Sequence, residues 1–118
     1  MTEEQIKLAR RAVACRGWDP LGGMLCADGA WRARVGDGWN WRAGAEVLPV
    51  LDDPATLGCL LALVREAWDD EGAYAMQRSV CEGGGWALWA CPPGDVNIPR
   101  GTGATEAEAL VAALEGAP

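Results

Sequence analysis

The sequence of 118 residues contains no histidine, no phenylalanine and a single lysine, Lys7. Without histidine the chain lacks the usual general base near neutral pH, the commonest metal ligand and the partner of a serine or cysteine nucleophile. It also lacks a phosphate-binding loop of the GxxxxGKS type, and its runs GGG at 83–85 and GTG at 101–103 are predicted to be turns. These absences favour a protein that is not an enzyme, and we expect it to use no cofactor.

The sequence also has no apolar run near the roughly 20 residues that cross a bilayer, and its first 17 residues are charged and amphipathic. We therefore expect a cytoplasmic protein without membrane association. The five cysteines are an odd number, and in a reducing compartment they are expected to be reduced and mostly buried. We expect no metal, because Cys15 and Cys26, like Cys81 and Cys91, stand about ten residues apart rather than in a CxxC-type pair.

Acidic residues are in excess, with 17 Asp and Glu against 10 Lys and Arg, for a formal net charge of -7 at pH 7. This charge opposes nonspecific attraction to nucleic acid or to an anionic membrane. It favours a partner with a basic surface, and nucleic acid is not the expected partner. The length is that of one domain, residues 1–118, which can bury a core without metals or bridges.

Helix signals occur at three places. Thr2 followed by Gln5 resembles a capping box and predicts a helix from about Glu3 to Arg16. Asp53 and Pro54 suit the cap and the first position of a central helix within residues 52–70. A last helix is predicted after residue 105, where threonine and a glutamate three positions later suit its cap. Apolar residues recur at helical spacing in the central helix, which is expected to be the spine of the core: Leu57, Leu60, Leu61, Val64 and Trp68.

Strand signals flank these helices. Segments 24–27, 30–35 and 39–43, separated by tight turns, predict a three-stranded meander. Closing its first turn at Asp28-Gly29 puts Cys26 opposite Trp31, and the alternation places Trp31, Trp39 and Trp41 in the core. Segments 73–81 and 86–91 predict a hairpin of open register. The predicted fold is α+β, with about five antiparallel strands in the order α-β-β-β-α-β-β-α.

Acidic residues gather at both ends of the central helix, and at its C-terminal end the helix dipole favours cations. Arg65 is the one base expected near that end. Charges in an unfavourable place point to a partner-facing surface, although a solvated helix end is the simpler interpretation. Trp18 is a candidate surface anchor. The predicted partner-binding residues are Asp52, Asp53, Glu66, Asp69, Asp70, Glu71 and Trp18.

Three arginines, Arg32, Arg34 and Arg42, are expected on the polar face of the meander. They suit an anion or the carboxylates of a partner, although pairing with acids of the same chain is the simpler interpretation. With tryptophans beside them, they carry an alternative function, that of a small-ligand or single-stranded nucleic-acid binding module.

The segments DPATLGCLLALVREAW (53–68) and TEAEALVAALEGAP (105–118) resemble a family of small uncharacterised proteins encoded by tailed phages and prophages. The resemblance implies a shared α+β architecture and a phage setting, and it transfers no catalytic residue. We therefore predict a non-enzymatic accessory protein that binds a host protein with a basic surface. The phage setting suggests that its role is to inhibit a defence system such as a CRISPR effector. A further alternative is a structural phage component whose function is to form an oligomer.

Overall fold

The computed structural model describes residues 1–29, 31–36, 46–90 and 98–118. Within them lie helices α1 (Glu3–Val13), α2 (Pro54–Ala67) and α3 (Glu106–Glu115). The strands are β1 (Leu25–Ala27), β2 (Arg32–Arg34), β3 (Leu48–Pro49), β4 (Tyr74–Gln77), β5 (Trp86–Trp89) and β6 (Gly101–Gly103). The strands form two antiparallel three-stranded sheets, in the orders β2-β1-β3 and β4-β5-β6. The predicted α+β class is confirmed, and the described residues contain six strands where about five were expected.

The predicted helix starts are confirmed by their caps. The Thr2 hydroxyl accepts the backbone N–H of Gln5 at 3.2 Å, and the Gln5 side chain accepts the N–H of Thr2 at 2.8 Å, which completes the capping box. At α3, Thr105 accepts the N–H of Glu108 at 3.2 Å. Helix α1 ends at Val13 instead of the expected Arg16. The chain that follows α1 lies close to α3, because a Cβ added to Gly17 would be 3.0 Å from Leu114 Cδ1.

The first sheet corrects the predicted hairpin register. Cys26 pairs with Ala33 instead of Trp31, so the connection is four residues long. Asp28 closes it, because its Oδ1 accepts the N–H of Trp31 at 2.8 Å. Trp31 consequently lies in the turn and is 66% exposed, so its assignment to the core was wrong. The predicted third strand, with Trp39 and Trp41, lies outside the described residues, and Leu48–Pro49 pairs with the other edge of β1.

The second sheet contains the predicted hairpin, with Ala75 opposite Leu88. Its third strand is the GTG segment, so the prediction of a turn there was wrong. A Cβ on Gly101 would overlap the backbone of Ala109 and Ala113, which shows that glycine is needed for α3 to lie directly on β6. The GGG segment is the turn that was predicted, and its three φ angles are 100°, 70° and 75°.

The core lies between α2, α3 and the two sheets. Leu60 and Val64 of the predicted spine are fully buried, and its other members, Leu57, Leu61 and Trp68, are half-buried against the core. Leu110 and Val111 of α3 are fully buried in the same core. Leu88 of β5 joins them from the second sheet. Among the helices of the described ranges, none has the length and apolar character needed to cross a membrane.

Candidate functional site

Two residues assigned to different predicted sites, Asp53 and Arg34, are bound to one another. The Arg34 guanidinium donates to both Asp53 oxygens, at 3.0 Å each, and also to the carbonyl oxygen of Gly23 at 2.9 Å. Asp53 Oδ2 further accepts the backbone N–H and the hydroxyl of Thr56, each at 3.0 Å. The fully buried Thr56 hydroxyl accepts the N–H of Leu25 at 2.9 Å. This network fastens the start of α2 to β1 and β2.

The electrostatics of this pair are those of a structural ion pair. Hydrogen bonding from Arg34 lowers the pKa of Asp53 far below its usual value, and the bonds from Thr56 lower it further against the cost of burial. Of the three predicted anion-binding arginines, Arg34 is therefore engaged within the chain, as the simpler interpretation expected. Arg32 is exposed. Arg42 lies outside the described residues.

A second ion pair occupies Asp70. Arg100 donates to Asp70 Oδ2 at 2.9 Å, and the Asp70 side chain is only 9% exposed. The same guanidinium lies 4.5 Å from the centre of the Trp68 ring, in a cation–π contact. The prediction that Arg65 is the one base at this end of α2 was wrong, because Arg100 arrives from 30 residues further along the chain.

The other predicted partner-binding residues do not form one surface. Glu66, Asp69 and Glu71 are exposed beyond or near the C-terminal end of α2. Asp52 is exposed at the N-terminal end. The 14 residues of α2 separate these two ends by about 21 Å. Trp18 is half-buried and packs against the core, which limits its use as an anchor.

The structure instead assembles an acidic cleft where the three helices begin. This cleft, of about 290 Å³, lies between the first turns of α1 and α3 and the start of α2. Leu8, Leu51 and Leu57 give it an apolar lining. No basic side chain is among the described residues that line it. Its carboxylates are Glu4, Asp52, Glu106 and Glu108.

Two of these carboxylates have roles within the chain. Glu108 Oε2 accepts the N–H of Ala104 at 2.7 Å, and Asp52 Oδ2 accepts from the Gln5 side chain at 3.4 Å. Among the described residues, Glu4 and Glu106 have no hydrogen bond or ion pair to their side chains. Of the four, only Asp52 is among the predicted partner-binding residues. The other three lie in the first turns of α1 and α3, and only the fold brings chain positions 4 and 106 together.

A second cavity, of about 580 Å³, lies beside the β1–β2 turn. Trp31, Arg32 and Met1 are among its lining residues. Arg10 and Glu46 also line it, and they form an exposed ion pair of 2.9 Å. An exposed indole next to an arginine is suited to stacking on a planar ligand.

Four of the five cysteines lie in the described part of the chain. There, no group of three Cys, Asp or Glu side chains is placed to hold a metal ion. Cys15, Cys26, Cys59 and Cys81 are free thiols, whereas Cys91 lies outside the described residues. Burial, with a smaller contribution from Cys59, raises the pKa of Cys26 to about 11, so this thiol is a poor nucleophile at neutral pH.

Comparisons with family models, curated proteins and solved structures found no match to this chain.

Proposed function

We propose that this chain is a non-enzymatic binding protein that receives a basic segment of a partner macromolecule in the acidic cleft. The observation that carries the proposal is the combination of four carboxylates with a leucine lining in one concave site. Arginine and lysine bury their aliphatic stems on apolar surface while the charged head remains at the rim. The cleft matches both parts of such a side chain.

The size of the acidic cleft favours a side chain over a small organic ligand. A volume of about 290 Å³ lies at the lower limit of ligand pockets, which hold roughly 300 to 1,000 Å³. One or two long basic side chains suit this space. The remaining contact area with the partner would then lie on the helix starts around the cleft.

The resemblance to phage and prophage proteins supports a host protein as the partner. We propose a cytoplasmic target whose basic surface serves nucleic acid, such as a CRISPR effector. The carboxylates of the acidic cleft would occupy that surface in place of phosphates. An overall charge of -7 would accelerate the encounter with such a partner at low ionic strength.

The test is fluorescence anisotropy with a labelled peptide that alternates arginine and leucine. Glu4→Gln combined with Glu106→Gln removes two carboxylates that are not committed to bonds within the described structure. We expect this variant to weaken peptide binding about tenfold, as loss of charge-assisted contacts does. Glu66→Gln combined with Glu71→Gln is the matched control. It makes the same charge change at the far end of α2, and we expect less than about a twofold effect from screened distant charges.

Two results would contradict the proposal. Equal weakening in both double variants would mean that the peptide responds to net charge instead of the cleft. A larger loss of peptide affinity in the control would mean that the interface lies at the C-terminal end of α2, where the sequence first indicated it. Circular dichroism of each variant shows whether the helices are retained.

A second candidate is favoured by one observation, the 66% exposure of Trp31 beside Arg32 in the larger cavity. Such a surface could stack on the bases of a single strand. This candidate predicts that the protein retains a single-stranded oligonucleotide in a salt-sensitive manner and that binding quenches the indole fluorescence. Trp31→Ala should abolish both effects. Absence of retention at low salt would remove this candidate.

A further inference from the structure

Strand β4 is an edge strand of the second sheet. The N–H of Arg78 bonds to the carbonyl oxygen of Gly85 at 2.8 Å, in line with the β4–β5 register. Because hydrogen-bonded and non-hydrogen-bonded pairs alternate in an antiparallel ladder, Met76 and Tyr74 also form hydrogen-bonded pairs with β5. The backbone groups of Ala75 and Gln77 therefore point away from β5. In the described ranges, no strand pairs with this side of β4.

This edge has few of the features that usually prevent strand pairing. Exposed edges are commonly blocked by charged side chains, by proline or by a bulge. Strand β4 reads Tyr-Ala-Met-Gln and contains neither a charge nor a proline. Met76 is 54% exposed on it.

The outer face of the sheet adds a second observation. Helix α3 packs on the face of Gly101 and its pair Leu88, so Tyr74, Met76 and Arg78 lie on the opposite face. Arg78 is half-buried there, and its Nε is buried without a hydrogen-bond partner among the described residues. A cation in this setting lacks part of its normal solvation.

We propose that two copies of the chain pair through β4, antiparallel, around a two-fold axis at Met76. Ala75 of each copy would exchange two backbone hydrogen bonds with Gln77 of the other, which joins the two sheets into one of six strands. The same register sets Met76 against Met76 of the second copy at the closest side-chain spacing. It also sets Arg78 opposite the Tyr74 ring of the second copy, where a cation–π contact can form.

The second copy is the occupant that this register favours. Any extended segment could supply the backbone hydrogen bonds, but the apolar partner for Met76 and the aromatic partner for Arg78 are both present on β4 itself. Two-fold pairing forms the Met76 contact once, on the axis, and the contact between Arg78 and Tyr74 twice. Because four residues make a short interface, the dimer should be weak and dependent on concentration.

Sedimentation equilibrium over a range of concentrations tests the proposal. We expect a reversible monomer–dimer equilibrium for the wild type. Met76→Lys places two like charges opposite each other at the axis and should raise the dissociation constant by about tenfold or more. Thr102→Lys is the matched control, because it adds the same charge to an exposed position on the same face at the other edge, β6. It should change the constant by less than about twofold.

Disulfide trapping tests the register. At a non-hydrogen-bonded pair the Cα atoms lie about 4.5 Å apart, which is within the range of a disulfide, so Met76→Cys should be cross-linked between copies on mild oxidation. Thr102→Cys, in the same background of natural cysteines, should not exceed the wild-type level. A wild type that remains monomeric at every concentration, a dimer insensitive to Met76→Lys, or equal trapping of both cysteine variants would overturn the proposal.

Discussion

Replacing Asp53 separates the two roles that its carboxylate has in the structure. As N-cap of α2 it accepts the N–H of Thr56 at 3.0 Å, and loss of such a cap costs about 1 kcal/mol. As the partner of Arg34 it forms a bidentate ion pair, in which the Arg34 side chain is 42% exposed and that of Asp53 12%. Because solvent screens the arginine, we assign this pair about 0.5 to 1 kcal/mol. Asp53→Ala should therefore lower the free energy of unfolding by about 2 kcal/mol.

Asn caps helices as well as Asp does, so Asp53→Asn keeps the cap and loses the charge. We expect it to cost less than about 1 kcal/mol, close to the cost of Arg34→Ala. Asp53→Asn combined with Arg34→Ala should cost less than the sum of those two single variants, since both remove the same ion pair. Urea unfolding curves measure the free energy of unfolding of the wild type and of the four variants. Equal costs for Asp53→Ala and Asp53→Asn would refute the role as a cap, and strict additivity would refute the ion pair.

The same pair determines how stability depends on pH. Because the pKa of Asp53 is lowered in the folded state, its contribution is complete above the unfolded pKa of about 4 and is lost as the pH falls below that value. The difference in free energy of unfolding between wild type and Asp53→Asn should shrink over this acidic range. A difference that stays constant down to pH 2, a value well below the unfolded pKa, would contradict the assignment.

Three further outcomes follow from the packing. Gly101→Ala should lower the free energy of unfolding by about 1 to 3 kcal/mol or more, because the added Cβ overlaps α3. Gly58→Ala has open space around it in α2 and should raise that free energy by about 0.5 to 1 kcal/mol. Thermal unfolding compares the two variants. Asp70→Asn should lower the free energy of unfolding by about 1 to 3 kcal/mol, because the partly buried charge of Arg100 loses its counter-charge. Asp69→Asn should leave that free energy unchanged, because asparagine tolerates the φ of 50° there. Urea unfolding measures both variants. In the folded protein, Cys26 should be alkylated more slowly than the other cysteines. In urea it should be alkylated at the same rate as they are, and mass spectrometry over a time course measures both rates.

The helix starts were predictable because each cap is determined by residues within one turn. Thr2, Asp53 and Thr105 each accept the N–H three residues later, as the local sequence indicated. The failures concern pairings set by distant segments. GTG has the composition of a turn, and only the approach of α3 makes Gly101 part of a strand. Trp31 alternates like a core residue, but a four-residue turn closed by Asp28 moves it into solvent.

The candidate site was only partly predictable for the same reason. Arg34 and Asp53 were both identified as functional, yet their 19-residue separation hid the fact that they bind each other. Asp70 was grouped with exposed acids because nothing near it in the sequence shows that Arg100 pairs with it. The acidic cleft joins the first turns of α1 and α3, and a local pattern cannot reveal that Glu4 and Glu106 line one site.

Amide chemical shifts measured during titration with the arginine–leucine peptide test whether the acidic cleft is the binding surface. We expect the shifts to concentrate at the starts of the three helices, around Leu8, Asp52, Leu57 and Thr105, and to fade as salt is raised. Residues at the far end of α2, such as Glu66, should remain unmoved. Shifts concentrated at that far end, or spread evenly over the acidic surface, would contradict the account.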